Sequence, residues 1–250
     1  MYTLFRALLA AIHILYALFS ALHNFYHIIY QMGFELWHGD NPRIEMEILA
    51  RGASRMQKIP RHLVIVFGPK EDTIFECVRI IGWCVTLGIP YISFFDSTGF
   101  ILKNERTLKI AMAKSRPDLI GDIAWGKPSM SGKNGLKDSK CKTRVWLLSD
   151  ADGKGEIVSL TQELASAIMT GSIKPEEIND NLLNEKLSLR GIPNPDLALV
   201  YGRFCSTYGL LPWHTRTTEF MLFSSAVSLS VRDFTHFLDR YSNCEQRYGK

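Results

Sequence analysis

The stretch that most constrains this chain runs from His62 to Phe95. His62-Leu63-Val64-Ile65-Val66-Phe67-Gly68 is an apolar run set between Pro60 and Gly68-Pro69 and reads as a buried strand. Thr73-Ile74-Phe75-Glu76 then has capping-box spacing, and Ile74, Phe75, Val78, Ile81 and Val85 recur at helical intervals until Gly88. Ile89 to Phe95 is a second apolar strand. Strand, helix and strand in so short a span make a βαβ unit, which implies a parallel sheet with ligands at the carboxyl ends of its strands.

The rest of the chain extends the same pattern. Val145-Trp146-Leu147-Leu148 reads as a third strand, Glu156 to Met169 as a helix, Leu197 to Tyr201 as a fourth strand and Phe220 to Phe223 as a fifth. Ser230-Val231-Arg232-Asp233 caps a last helix whose Val231, Phe234, Leu238 and Tyr241 form one apolar stripe. Between Asn104 and Lys142 the pattern dissolves after one helical stretch, Glu105 to Lys114, into a loop carrying Lys127, Lys133, Lys137, Lys140, Lys142 and Arg144 against Asp138. That loop reads as solvated surface. Asp150-Ala151-Asp152-Gly153-Lys154-Gly155 has the look of a calcium loop, but Lys154 occupies a ligand position and Thr161 stands where the bidentate Glu belongs, so it reads as a Gly-rich turn.

From Ala7 to Phe34 no residue carries a formal charge, and His13 and Ser20 alone interrupt Ala7 to Leu22 with polar side chains. Such a run suits a membrane helix. Arg6, His13, Ser20, Asn24, His27 and Gln31 gather into one stripe on it, which admits a spanning helix or one lying in the interface. The spanning anchor is favoured, because an interfacial helix would carry Lys or Arg on its polar face and this one offers mainly His. A cleaved signal peptide ranks last: the run is long and no small-x-small site ends it. Arg43, Arg51, Arg55 and Lys58 follow the helix against Arg6 before it, so the positive-inside rule puts residues 35–250 on the cytoplasmic side.

The formal charge of +4 on 250 residues leaves no dense Arg/Lys face, so no nucleic-acid partner is expected. Five cysteines without a CxxC pair indicate neither a disulfide framework nor a zinc site, and no Asn-x-Ser/Thr sequon occurs, which suits a reducing compartment.

Trp83-Cys84, Ile89-Pro90-Tyr91-Ile92-Ser93, Gly191 to Leu197 (Gly-Ile-Pro-Asn-Pro-Asp-Leu), Leu210 to Arg216 (Leu-Leu-Pro-Trp-His-Thr-Arg) and the ending Glu245-Gln246-Arg247-Tyr248-Gly249-Lys250 together resemble a known group. It is the Nogo-B receptor type of accessory subunit of dehydrodolichyl diphosphate synthase complexes, within the cis-prenyltransferase family. The resemblance runs from Pro60 to Lys250 and is weakest across 104–143. It implies an α/β domain with a parallel sheet and flanking helices at 60–250, ending in a functional tail, after a membrane anchor helix at 1–34 and a linker at 35–59.

Catalytic members of that family hold Mg²⁺ and diphosphate with an Asp at the end of the first strand, in a pattern of His, four residues, then Met-Asp-Gly-Asn. Here Gly68 stands at the Asp and Lys70 at the Asn. Their Ser-x-Glu-Asn element appears as Ser97-Thr98-Gly99-Phe100, with the Glu-Asn gone. Their Arg-x-Ser-Gly-Glu-x-Arg run has Val200 at its first Arg and Ser206 at its second. A site without its metal carboxylate and both arginines cannot stabilise departing pyrophosphate. The resemblance therefore implies no catalytic residue and no metal ligand in this chain.

It further implies a heteromer in which Arg247 and Gly249 enter the site of a catalytic cis-prenyltransferase subunit and contact isopentenyl diphosphate, with Mg²⁺ bound by that partner. Arg suits a phosphate by its bidentate fork and Gly by the close approach of its backbone, although taken alone the eight terminal residues read as a solvated basic tail. Trp213, His214 and Arg216 fall at the subunit contact by the same resemblance. The residues themselves equally allow Trp213 in the core and Arg216 paired with Glu219. His62 reads as a structural strand-end histidine and Asp96 as a turn former ahead of Gly99.

The implied function is a non-catalytic but required subunit of a complex at the endoplasmic reticulum membrane, facing the cytosol. That complex condenses isopentenyl diphosphate onto farnesyl diphosphate to make the polyprenyl precursor of dolichol for protein glycosylation. A membrane-anchored receptor or scaffold for protein or lipid partners is the alternative. An independent prenyltransferase would need Asp72 or Asp96 to take over the metal.

Overall fold

The computed structural model describes residues 2–38, 42–68, 73–127, 141–189, 191–202, 204–223 and 229–245. In chain order they form α1 (Tyr2–His38), α2 (Pro42–Ala53), β1 (His62–Phe67), α3 (Ile74–Leu87), β2 (Tyr91–Asp96), α4 (Phe100–Lys103) and α5 (Glu105–Ser115). After a 3-10 turn at Pro117–Asp122 come β3 (Ile123–Trp125), β4 (Thr143–Leu148), α6 (Lys154–Met169), α7 (Asp180–Lys186), β5 (Leu197–Tyr201), β6 (Glu219–Phe223) and α8 (Val231–Ser242). The strands make one six-stranded sheet of order β3-β4-β2-β1-β5-β6, parallel throughout.

The continuous apolar character of β1 follows from its central place. Leu63, Ile65 and Phe67 point into one core with Leu49, Trp83, Phe234 and Leu238, while Val64 and Val66 point into a second with Trp146, Leu210 and Leu211. The start of β1 is fixed by the Pro193 to Asp196 segment. Asp196 Oδ2 accepts the N–H of Arg61 at 2.7 Å and of His62 at 3.0 Å, which locks β1 in register beside β5.

Two helix ends follow the chemistry their sequence predicts, and one does not. Gly88 takes φ 72° and closes α3 through its N–H to Cys84 and Val85 carbonyls. Ser230 Oγ accepts the Asp233 N–H at 3.1 Å and caps α8 as its spacing predicts. The capping box predicted at Thr73 does not form. Thr73 stays the N-cap residue, its carbonyl accepting from Cys77 N, but at ψ −7° instead of an extended conformation its side chain makes no cap hydrogen bond, and its hydroxyl is buried without a partner among the described residues.

Three further expectations change. The segment 35–59, expected as a linker, contains α2, whose Leu49 is 1% exposed and whose Glu45 accepts Trp83 Nε1–H at 3.0 Å. The α1 helix runs on to His38 instead of stopping at Phe34. The sheet also gains β3, a three-residue edge strand inside the region where periodicity is lost. Leu4–Leu22 of α1, with mean hydropathy 1.8 and side chains almost all exposed, is long and apolar enough to cross a membrane.

Candidate functional site

In a parallel sheet the ligand edge is the one where strands end, and here β1 and β5 end side by side in glycines. The Gly68 N–H donates to the Tyr201 carbonyl at 2.9 Å. A Cβ at Gly68 would stand 3.3 Å from that carbonyl oxygen and 3.4 Å from Tyr208 Oη, and a Cβ at Gly202 would stand 3.3 Å from the same hydroxyl. Tyr208 thus fills the space above both glycines. Its backbone takes φ 49°, a conformation that costs a non-glycine residue about 1 kcal/mol. The turn is held from two sides: Ser206 Oγ accepts Tyr208 N–H at 3.2 Å, and Gly209, at φ 91°, has its carbonyl against Gly153 and accepts Lys154 N–H at 3.1 Å.

Magnesium takes carboxylate oxygens and water, and the described residues above β1 and β5 do not fit it. Gly68 brings no side chain, and Tyr208 brings a neutral hydroxyl. Asp96, at the end of β2, is committed to its own turn: its carboxylate accepts from Thr98 N (2.9 Å), Thr98 Oγ1 (2.8 Å) and Phe100 N (2.6 Å), as a turn former ahead of Gly99 does. Val200 is fully buried in the core, and Ser206 is spent on the Tyr208 turn. Asp72 and Lys70 lie outside the described residues.

His62 sits at the opposite end of β1, about 17 Å away along the strand. Its Nδ1 donates to the Pro193 carbonyl at 2.7 Å, so its Nε2 accepts from Ser93 Oγ at 2.8 Å, a pairing that fixes the neutral Nδ1–H tautomer. Burial pushes its pKa down to about 4, outweighing the Pro193 hydrogen bond. It is a structural latch with no access to the ligand edge.

The three residues expected at a subunit contact separate. Trp213 is 38% exposed and donates Nε1–H to Asn184 Oδ1 of α7 at 2.8 Å, so it lies on the surface and not in the core. Arg216 is exposed and pairs with no carboxylate among the described residues; the alternative pairing with Glu219 is not formed. His214 turns inward at 7% exposure, where burial lowers its pKa.

Arg247 and Gly249 lie outside the described residues, but the base of their tail is fixed. Ser242 Oγ accepts Gln57 N–H at 2.6 Å, Lys58 Nζ donates to the Cys244 carbonyl at 2.5 Å, and the same ammonium lies 4.8 Å from the Tyr241 ring. A helix following a parallel strand runs back toward the strands' starts, so α8 delivers Cys244 to the edge opposite Gly68.

Sequence reading missed Tyr208. Its signal was the pair Gly68 and Gly202, which only the β1–β5 pairing brings together.

No family model matches the chain. Among solved structures, lavandulyl diphosphate synthase from Lavandula x intermedia superposes with TM-score 0.61 at 15% identity, covering 77% of this chain and 99% of that one. The fold is that of the cis-prenyltransferases. In sequence, the chain is 34% identical over 200 residues to the dehydrodolichyl diphosphate synthase complex subunit NUS1 of Homo sapiens, covering 78% of this chain and 68% of the human one. The subunit Nus1 of Mus musculus is also 34% identical over 200 residues, with 78% and 67% covered. The chain belongs to this family of NUS1 subunits.

Proposed function

We propose that this chain is the accessory subunit of a dehydrodolichyl diphosphate synthase complex and has no catalytic centre of its own. Tyr208 over Gly68 carries this reading, because the position where catalytic cis-prenyltransferases carry a metal carboxylate is here a glycine overlaid by the Tyr208 hydroxyl. The catalytic partner binds Mg²⁺, farnesyl diphosphate and isopentenyl diphosphate. This chain contributes a folded surface, including Trp213 and Arg216, and its C-terminal tail. The base of the tail, at Ser242 and Cys244, lies on the side away from Gly68, which suits donation to another chain. There Arg247 grips the isopentenyl diphosphate and Gly249 brings a backbone N–H to short range.

The apolar α1 anchors the subunit in the endoplasmic reticulum membrane with residues 35–250 on the cytosolic side. Tail variants test the site reading. Gly249→Ala, or residues appended after Lys250, lower the activity of the complex while both chains still co-purify; full activity in both variants refutes it. For the anchor, a tag at residue 1 is protected from protease on sealed microsomes while one at residue 250 is cleaved. Cleavage of both refutes a spanning helix.

A further inference from the structure

A basic cleft of about 370 Å³ opens between α2 and α8, on a helical face that the proposed activity does not use. Its floor is the crossing of Gly52 over Thr235, where the glycine's missing Cβ lets the helices approach until any side chain would overlap the Thr235 methyl. Its walls are Arg51 from α2, Arg55 from the turn that follows it, and Arg232 and His236 from α8, all exposed, with Asp239 the one carboxylate among the lining residues. Arg55 donates Nε–H to the Arg51 carbonyl at 3.3 Å, which orients its guanidinium. Arg51 shares an exposed i,i+4 pair with Glu47, which solvent screens and a stronger anion can displace.

Three guanidiniums converging on one concavity suit phosphate oxygens, which they grip in pairs as lysines do not. The location selects the source of that phosphate. Only residues 39–41 separate α2 from α1; about 24 Å of α1 follow Leu22 and α2 is about 18 Å long, so the cleft is tethered to the membrane helix by a span of that order. Phe25, Tyr26 and Ile29 extend the exposed apolar surface of α1 beyond Leu22, which suits contact with lipid.

We propose that the α2/α8 cleft binds the phosphate of an anionic phospholipid headgroup in the leaflet that α1 meets. The proposal rests on the reading of α1 as a membrane helix, and two measurements on the full chain keep the two claims apart. Flotation with pure phosphatidylcholine vesicles, resistant to alkaline extraction, reads α1 alone. Native mass spectrometry of the detergent-solubilised chain with short-chain phosphatidate reads the cleft alone. Two arginines near a lipid phosphate account for about thirtyfold in retention, which Arg55→Gln/Arg232→Gln should lose. Lys109→Gln/Lys186→Gln, which removes the same charge from α5 and α7, should retain the lipid, and inorganic phosphate at equal concentration should not displace it.

Equal retention by wild type and the arginine variant, or equal loss in both double variants, overturns the site. Displacement by inorganic phosphate overturns the lipid assignment in favour of a free-phosphate site. Failure to float on phosphatidylcholine overturns the anchor and with it the headgroup as source, whatever the cleft binds in micelles. An unchanged circular dichroism spectrum in both double variants excludes unfolding as the cause.

Discussion

His62 Nε2 and Ser93 Oγ lie 2.8 Å apart, both side chains buried between the two central strands. The imidazole is held neutral, with its pKa pushed from 6.5 down to about 4 by burial. Between those values the unfolded chain takes up a proton that the folded chain refuses. The latch therefore contributes fully above pH 6.5 and loses its contribution as pH falls toward 4, by roughly 3 kcal/mol in total. Urea unfolding midpoints measured from pH 7.5 to 4 should fall more steeply for wild type than for His62→Gln. His214, also lowered by burial, adds to the slope of both proteins and cancels in the comparison. Parallel slopes would contradict the neutral latch.

The crossing of α2 over α8 gives a prediction in which the sign depends on the partner residue. In a helix interior Gly→Ala ordinarily stabilises by about 1 kcal/mol. At Gly52 the new methyl meets the Thr235 methyl, and Thr235 is locked by its Oγ1–H bond to the Val231 carbonyl at 2.7 Å. Gly52→Ala should therefore destabilise by about 1–2 kcal/mol net of the helix gain. In a Thr235→Ser background the same substitution should become neutral or stabilising. A thermal-melt double-mutant cycle without coupling would contradict the crossing.

These two sites mark what the sequence makes legible and what it hides. The βαβ core, the strand at Leu197–Tyr201 and the Ser230-capped helix are readable because period and cap chemistry are local. The α2 helix is not. Its sequence interleaves Glu45, Glu47 and Arg51 with apolar residues, and only the burial of Leu49 and the hydrogen bond from Trp83 of α3 to Glu45 reveal its packed side. The β3 strand is three residues long and owes its existence to pairing with β4. At the ligand edge, Gly68 was readable as a lost carboxylate. What occupies the vacated space was not, since Tyr208 is far away in sequence and reaches it through a left-handed turn.

Restoring the family's carboxylate by Gly68→Asp should not restore a site. The new Cβ would press on the Tyr201 carbonyl at 3.3 Å and on Tyr208 Oη at 3.4 Å, at a cost of about 1–3 kcal/mol. Tyr208→Ala in the same chain should recover much of that stability by opening the space. Differential scanning calorimetry reads both effects, and a Gly68→Asp variant as stable as wild type would place Tyr208 elsewhere.

The central claim is that this chain serves a site it does not itself contain. Its most direct test is incorporation of labelled isopentenyl diphosphate onto farnesyl diphosphate with Mg²⁺, by this chain alone, by its catalytic partner alone and by the two together. The account predicts background incorporation by this chain alone and strong incorporation only by the pair, lost on Gly249→Ala. Turnover by this chain alone, or a pair no more active than the partner by itself, would contradict it.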